Sequence, residues 1–107
     1  MAKIPADIEK ILFEYIQNLR KEIQIKSVIL FGSYAKSSWD KDSDIDLAIF
    51  SDSFSRRNRA ESIAFLLEKA LQYDLDIQPM AFDENDFENY KDNPFIKEIV
   101  TTGIRIV

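Results

Sequence analysis

Apolar residues recur at intervals of three and four through Ile8, Ile11, Leu12, Tyr15, Ile16 and Leu19, the spacing of one buried helical face, and Pro5 marks where that helix opens. The period then breaks. Val28, Ile29, Leu30 and Phe31 form an unbroken apolar run closed by a glycine, which predicts a short strand covered on both faces. Residues from Gly32 to Ser43 are small, polar or charged, with room for a turn or two and a loop. A second strand is predicted from about Asp44 to Phe50, followed by a polar break over Ser51 to Ser55. Ile63, Leu66, Leu67, Ala70 and Leu71 mark the apolar face of a second helix. A third strand is predicted near Leu75 to Met80, where Pro79 implies that its far end lacks a full set of ladder partners. From Asp83 the chain is acidic and aromatic, with a short helix expected around Pro94 to Val100, a stop at Gly103 and a small strand over Ile104 to Val107.

Helices and strands alternating in so short a chain imply one layered domain over residues 1–107, of α/β or α+β class, built on a small mixed sheet with flanking helices. Composition removes several chemistries. With no cysteine and no histidine, disulfides, thiolate zinc sites, imidazole-activated nucleophiles and histidine general bases are excluded. Catalysis would have to run on carboxylates and hydroxyls. A formal charge of -5 provides no broad basic field for a long phosphate backbone, so a polynucleotide partner is not expected, whereas a metal-bound nucleotide is compatible. Met1 to Lys10 has no leader pattern and no apolar run approaches a membrane span, so a cytoplasmic location is expected.

The second strand begins Asp44-Ile45-Asp46, and alternation along a strand turns both carboxylates to one face, their Cα atoms about 7 Å apart. Such a pair suits Mg²⁺, which takes carboxylate oxygens together with phosphate oxygens and water. In an acidic chain this spacing alone better describes a solvated loop entering a strand. Asp40 and Asp42 extend the ladder, but a calcium loop opening at Asp40 would need Gly and Glu where Ile45 and Ser51 stand. Gly32-Ser33 makes the pattern specific. A Gly-Ser leaving a buried strand into a short helix offers backbone N–H groups and a hydroxyl to a phosphate.

Gly32-Ser33, ten intervening residues, then Asp44-x-Asp46 resembles the signature of the DNA polymerase β-like nucleotidyltransferase superfamily. The contexts Phe31-Gly32-Ser33-Tyr34-Ala35 and Asp42-Ser43-Asp44-Ile45-Asp46-Leu47 look like its minimal nucleotidyltransferase branch, and the likeness covers nearly the whole chain. It implies a polymerase β palm-like fold. Ten residues between the first two strands suit antiparallel neighbours, while strand two, helix two and strand three make a crossover that leaves strands two and three parallel. Their common starting edge would then carry Asp44, Asp46 and Asp76. By the resemblance, Asp44 and Asp46 bind two Mg²⁺ ions, and Asp76 completes the second site and helps deprotonate the acceptor. Gly32 and Ser33 hold the β and γ phosphates of a nucleoside triphosphate, expected to be ATP, with Lys36 beside them.

Two departures stand out. Lys36-Ser37 replaces the family's frequent Arg-Gly, keeping the charge but losing the planar fork. Asp74 rivals Asp76 for the third carboxylate by strand parity, and Asp76 is preferred for its apolar neighbours Leu75 and Ile77. Arg56, Arg57 and Arg59, cations ahead of a helix, suggest a triphosphate or partner contact as well as an ordinary charged surface. Trp39 suits base stacking, partner anchoring or local packing. Phe82, Phe87, Tyr90 and Phe95 read as packing of the C-terminal helix, and Ser33 and Tyr34 as less favoured nucleotidyl acceptors.

The function so implied is Mg²⁺-dependent transfer of a nucleoside monophosphate, expected to be AMP, to a hydroxyl. No second domain fits in the chain to bind the acceptor, so an oligomer or a partner is expected. The resemblance points to an all-helical HEPN-type toxin that this chain, as antitoxin, would modify; lacking histidine, it is not the nuclease half. Two rivals are a non-catalytic module that sequesters the same partner and a transferase acting on a small molecule such as an aminoglycoside.

Overall fold

The computed structural model describes residues 4–35, 44–56 and 58–107. Helix α1 runs Ala6–Arg20, with Pro5 one position outside it and Asp7 and Glu9 in the first turn, where they complement the helix dipole. Strand β1 (Ser27–Phe31) follows, then a 3₁₀ turn over Gly32–Tyr34 and strand β2 (Ile45–Phe50). A second 3₁₀ turn, Asp52–Arg56, leads to α2 (Arg59–Ala70), capped by Asn58, whose Oδ1 accepts from Glu61 N at 2.8 Å. Strand β3 is Ile77–Phe82. Helix α4 (Pro94–Thr102) starts with proline in its first turn and Asn93 Oδ1 accepting from Phe95 N and Ile96 N, and β4 (Ile104–Arg105) ends the fold. A short helix α3, Glu84–Glu88, escapes the periodicity. Its signal is the reciprocal capping box of Asp83 and Asp86 rather than an apolar stripe.

The four strands stand in the order β3-β2-β1-β4. β1 is antiparallel to β2 and to β4, while β2 and β3 are parallel; the short connection between β1 and β2 suits the first pairing and the helical crossover through α2 the last. β3 is thus an edge strand along its whole length, which is why Pro79 is tolerated opposite Leu47 in mid-strand and not merely at the far end.

Both sheet faces are covered. On one, Leu12, Tyr15, Ile16 and Leu19 of α1 and Leu66 and Ala70 of α2 pack on Val28, Leu30, Leu47 and Ile49. On the other, Ile96 and Ile99 of α4 meet Ile29, Ala48, Phe50 and Phe82, with Phe87 and Tyr90 against them. The buried face of α2 is Ser62, Leu66 and Ala70, so Leu67 and Leu71, predicted to be apolar-face positions, are instead exposed. They lie about 100° around the helix from that stripe.

Tyr15 ties the helical layer together. Its hydroxyl donates to Leu66 O at 2.8 Å and its ring meets Tyr73 edge-on, and burial pushes the phenol well above its ordinary range. Tyr15→Phe is expected to lower the unfolding free energy by about 1 kcal/mol, the net worth of one hydrogen bond, and urea denaturation measures it.

Candidate active site

The site is assembled where β1 ends and β2 and β3 begin. The register pairing Ile45 with Ile77 and Asp46 with Gln78 sets Asp44 beside Asp76 one step earlier, and Ile45 N donates to Asp76 O at 2.8 Å. Across β2, Asp46 pairs with Phe31. Two strands that start together and a third that ends there thus bring residues 32, 44, 46 and 76 to one edge, which no local pattern could do.

Asp44 and Asp76 stand side by side, within reach of each other's carboxyl groups, and two like charges so placed favour holding one proton between them. The bond to Asp76 pushes Asp44 above the usual carboxylate range, while the same bond, with help from Gln78, holds Asp76 below it. Gln78 Nε2 donates to Asp76 Oδ1 at 2.6 Å. Asp46, half-buried, is also pushed up, first by burial and then by the charge of Asp76. Gln78 is a positioning residue that the sequence reading missed; its signal was an amide two residues after the carboxylate, on the same strand face.

Gly32 adopts φ +76°, a conformation that L side chains rarely take, and a Cβ there would collide with Asp46 Oδ2. The bend therefore presses backbone directly against a carboxylate. Ser33 follows it in the 3₁₀ turn, whereas the ring of Tyr34 is buried in the core, which removes it as an accessible acceptor. The Arg59 guanidinium lies 5.4 Å from the centre of the Phe82 ring, on the face opposite α1. Lys36, Trp39 and Arg57, and the side chain of Arg56, lie outside the described residues.

Among the described residues no group of three His, Cys, Asp or Glu side chains stands in a ready-made metal-holding arrangement. The donor set nevertheless fits Mg²⁺. All three groups are hard oxygen donors, and the crowding of their negative charge, which pushes Asp44 and Asp46 upward, is what a cation would relieve. Mg²⁺ ordinarily uses one or two carboxylates, with water and substrate phosphate filling its remaining positions, so a closed protein cage is not required.

Known proteins share this architecture. A candidate nucleotidyltransferase of Sulfolobus solfataricus superimposes with a TM-score of 0.62 over 82% of this chain and 83% of its own at 18% identity, a likeness of fold. Two candidate protein adenylyltransferases of Methanocaldococcus jannaschii are similar in sequence. One is 30% identical over 94% of this chain and 71% of its own length, the other 26% identical over 89% and 98%. Residues 10–106 match the nucleotidyltransferase domain model, from before β1 to beyond β4, and the chain belongs to that family as a minimal nucleotidyltransferase.

Proposed function

We propose that the protein transfers AMP from ATP to a hydroxyl group of a partner protein, with Mg²⁺ bound by Asp44, Asp46 and Asp76. The observation that carries this reading is the meeting of the Asp44–Asp76 pair with Asp46 against the Gly32 bend. The protein acceptor draws support from the two archaeal relatives, whose names describe protein adenylyltransferases. When bound, Mg²⁺ supplies positive charge to the phosphate oxygens and to the attacking and leaving oxygens of an in-line displacement.

The chain's own residues would act as follows. The Gly32-Ser33 turn holds the β and γ phosphates, with Lys36 adding charge. Asp76, steadied by Gln78, takes the proton of the acceptor hydroxyl. The hydroxyl oxygen bonds to the α phosphorus as the bond to the β-phosphate oxygen breaks, and pyrophosphate leaves toward Gly32. Among the described residues no helix is long and apolar enough to cross a membrane. By the family resemblance we take the partner to be an all-helical HEPN-type toxin, met in the cytoplasm and neutralised by the modification.

Incubation with Mg²⁺, ATP and the product of an adjacent helical reading frame should add one nucleotidyl group to that product by intact mass, and chelation should abolish the addition. If an Asp44→Asn, Asp46→Asn double variant neutralises the partner as well as wild type, transfer is not the basis of neutralisation and the sequestering module takes its place.

A further inference from the structure

Beside Gly32 lies a notch of about 120 Å³ lined by Phe31, Gly32, Phe95, Glu98, Ile99 and Thr102. Its wall is one stripe of α4, since residues 95, 98 and 102 follow at intervals of three and four. Phe95 meets Phe31 edge-on, ring centres 6.4 Å apart, yet 48% of its surface is exposed. The ring is left this open on a helix whose isoleucines, Ile96 and Ile99, are buried and whose Val100 is partly buried.

We propose that this notch is the nucleobase subsite: the base of the bound triphosphate stacks on Phe95, and the Glu98 carboxylate accepts a hydrogen bond from its exocyclic amine. The assignment rests on the nucleotide reading above and adds the part of the substrate that reading leaves unplaced. Three observations select a base over other occupants. Among the described residues no cation lines the notch and an acidic side chain does, which suits a neutral ring with amino donors better than a phosphate. The volume corresponds to about four waters at ~30 Å³ each, enough for the face and edge of a planar ring but not for a whole nucleoside. The strand order β3-β2-β1 sets Asp76 and the notch on opposite sides of Asp46, so a base carried through its ribose on the α phosphate can turn toward the notch while the acceptor side stays open.

Binding of Mg-ATP and of inorganic tripolyphosphate, which has the phosphates without the base, is measured by calorimetry on the full chain. Phe95→Ala is expected to weaken ATP about tenfold, within the range for loss of one base–aromatic stack, and to leave tripolyphosphate unchanged. Phe95→Trp should restore ATP binding. Wild type should prefer ATP to purine riboside triphosphate, which lacks only the amine, and Glu98→Ala should erase that preference. Equal ATP binding by wild type and Phe95→Ala overturns the proposal. So does parallel loss of ATP and tripolyphosphate in both Phe95 variants, which marks a damaged fold rather than a lost stack. If wild type binds neither compound, the phosphate-cradle reading itself fails and the notch falls with it.

Discussion

Gly32→Ala is expected to reduce nucleotidyl transfer by two or more orders of magnitude and to destabilise the fold by about 1–2 kcal/mol. The stability loss comes from the backbone, because φ +76° is strained for any residue with a Cβ. The activity loss comes from the carboxylate. The new methyl group would occupy the space of Asp46 Oδ2, and either the bend or the aspartate must move. A reaction that depends on aligned oxygens tolerates little of that. Gly103→Ala separates the two effects. Gly103 has φ -79° and makes no conformational demand, but its Cβ would meet Ile29 Cγ2 and Ile99 O at 2.5 Å, with no carboxylate side chain among its three nearest atoms. It should destabilise the protein while activity per folded molecule persists. Melting midpoints alongside transfer rates decide the matter; Gly32→Ala retaining activity per folded molecule within about twofold would show that the bend's contact with Asp46 is not needed.

Asp46→Asn is expected to abolish transfer and, in the absence of divalent cations, to raise the melting midpoint. The sign follows from protonation. Asp46 has its carboxyl pushed up in the folded chain, so between the unfolded and folded values the native state binds more protons than the unfolded one. That contribution to stability is fully present below the unfolded value, declines as pH rises through the folded value, and is least at neutral pH, where Asn removes the burial cost of the charge and its repulsion from Asp76. Asp44 shifts in the same direction and Asp76 in the opposite one, as befits a pair sharing a single proton. On the proposed function, Mg²⁺ would bind the ionised pair, so its affinity should rise with pH until both carboxyls are charged. At tenfold its dissociation constant Mg²⁺ would stabilise wild type by about 1.4 kcal/mol, or roughly 6–10 °C, and the Asp44→Asn, Asp46→Asn double variant by almost nothing. Equal midpoint shifts in the two proteins would mean that magnesium binds elsewhere.

The elements were legible because their signals are local. Leu12, Tyr15, Ile16 and Leu19 recur with the helical period and are fully buried, and the apolar run Val28 to Leu30 forms a strand covered on both sides. The convergence of Asp44, Asp46 and Asp76 was also foreseeable, since a short connection makes antiparallel neighbours and a helical crossover makes parallel ones. Helix α3 was not legible because its five residues bury no apolar stripe. Leu67 and Leu71 misled because leucine suits an exposed helical position as readily as a buried one.

By itself the sequence determined the order of helices and strands, the absence of imidazole and thiol chemistry, and the candidate carboxylates. Spacing along a chain reports which face a residue shares and how far apart two strands can be. Tertiary structure decided what those residues touch: Asp44 beside Asp76, Gln78 bonded to Asp76, the Gly32 backbone against Asp46, and α4 laid so that Phe95 and Glu98 border the bend. These contacts join residues from β1, β2, β3 and α4, and their distances are set by strand register and helix packing, which exist only once the sheet has closed over its two cores.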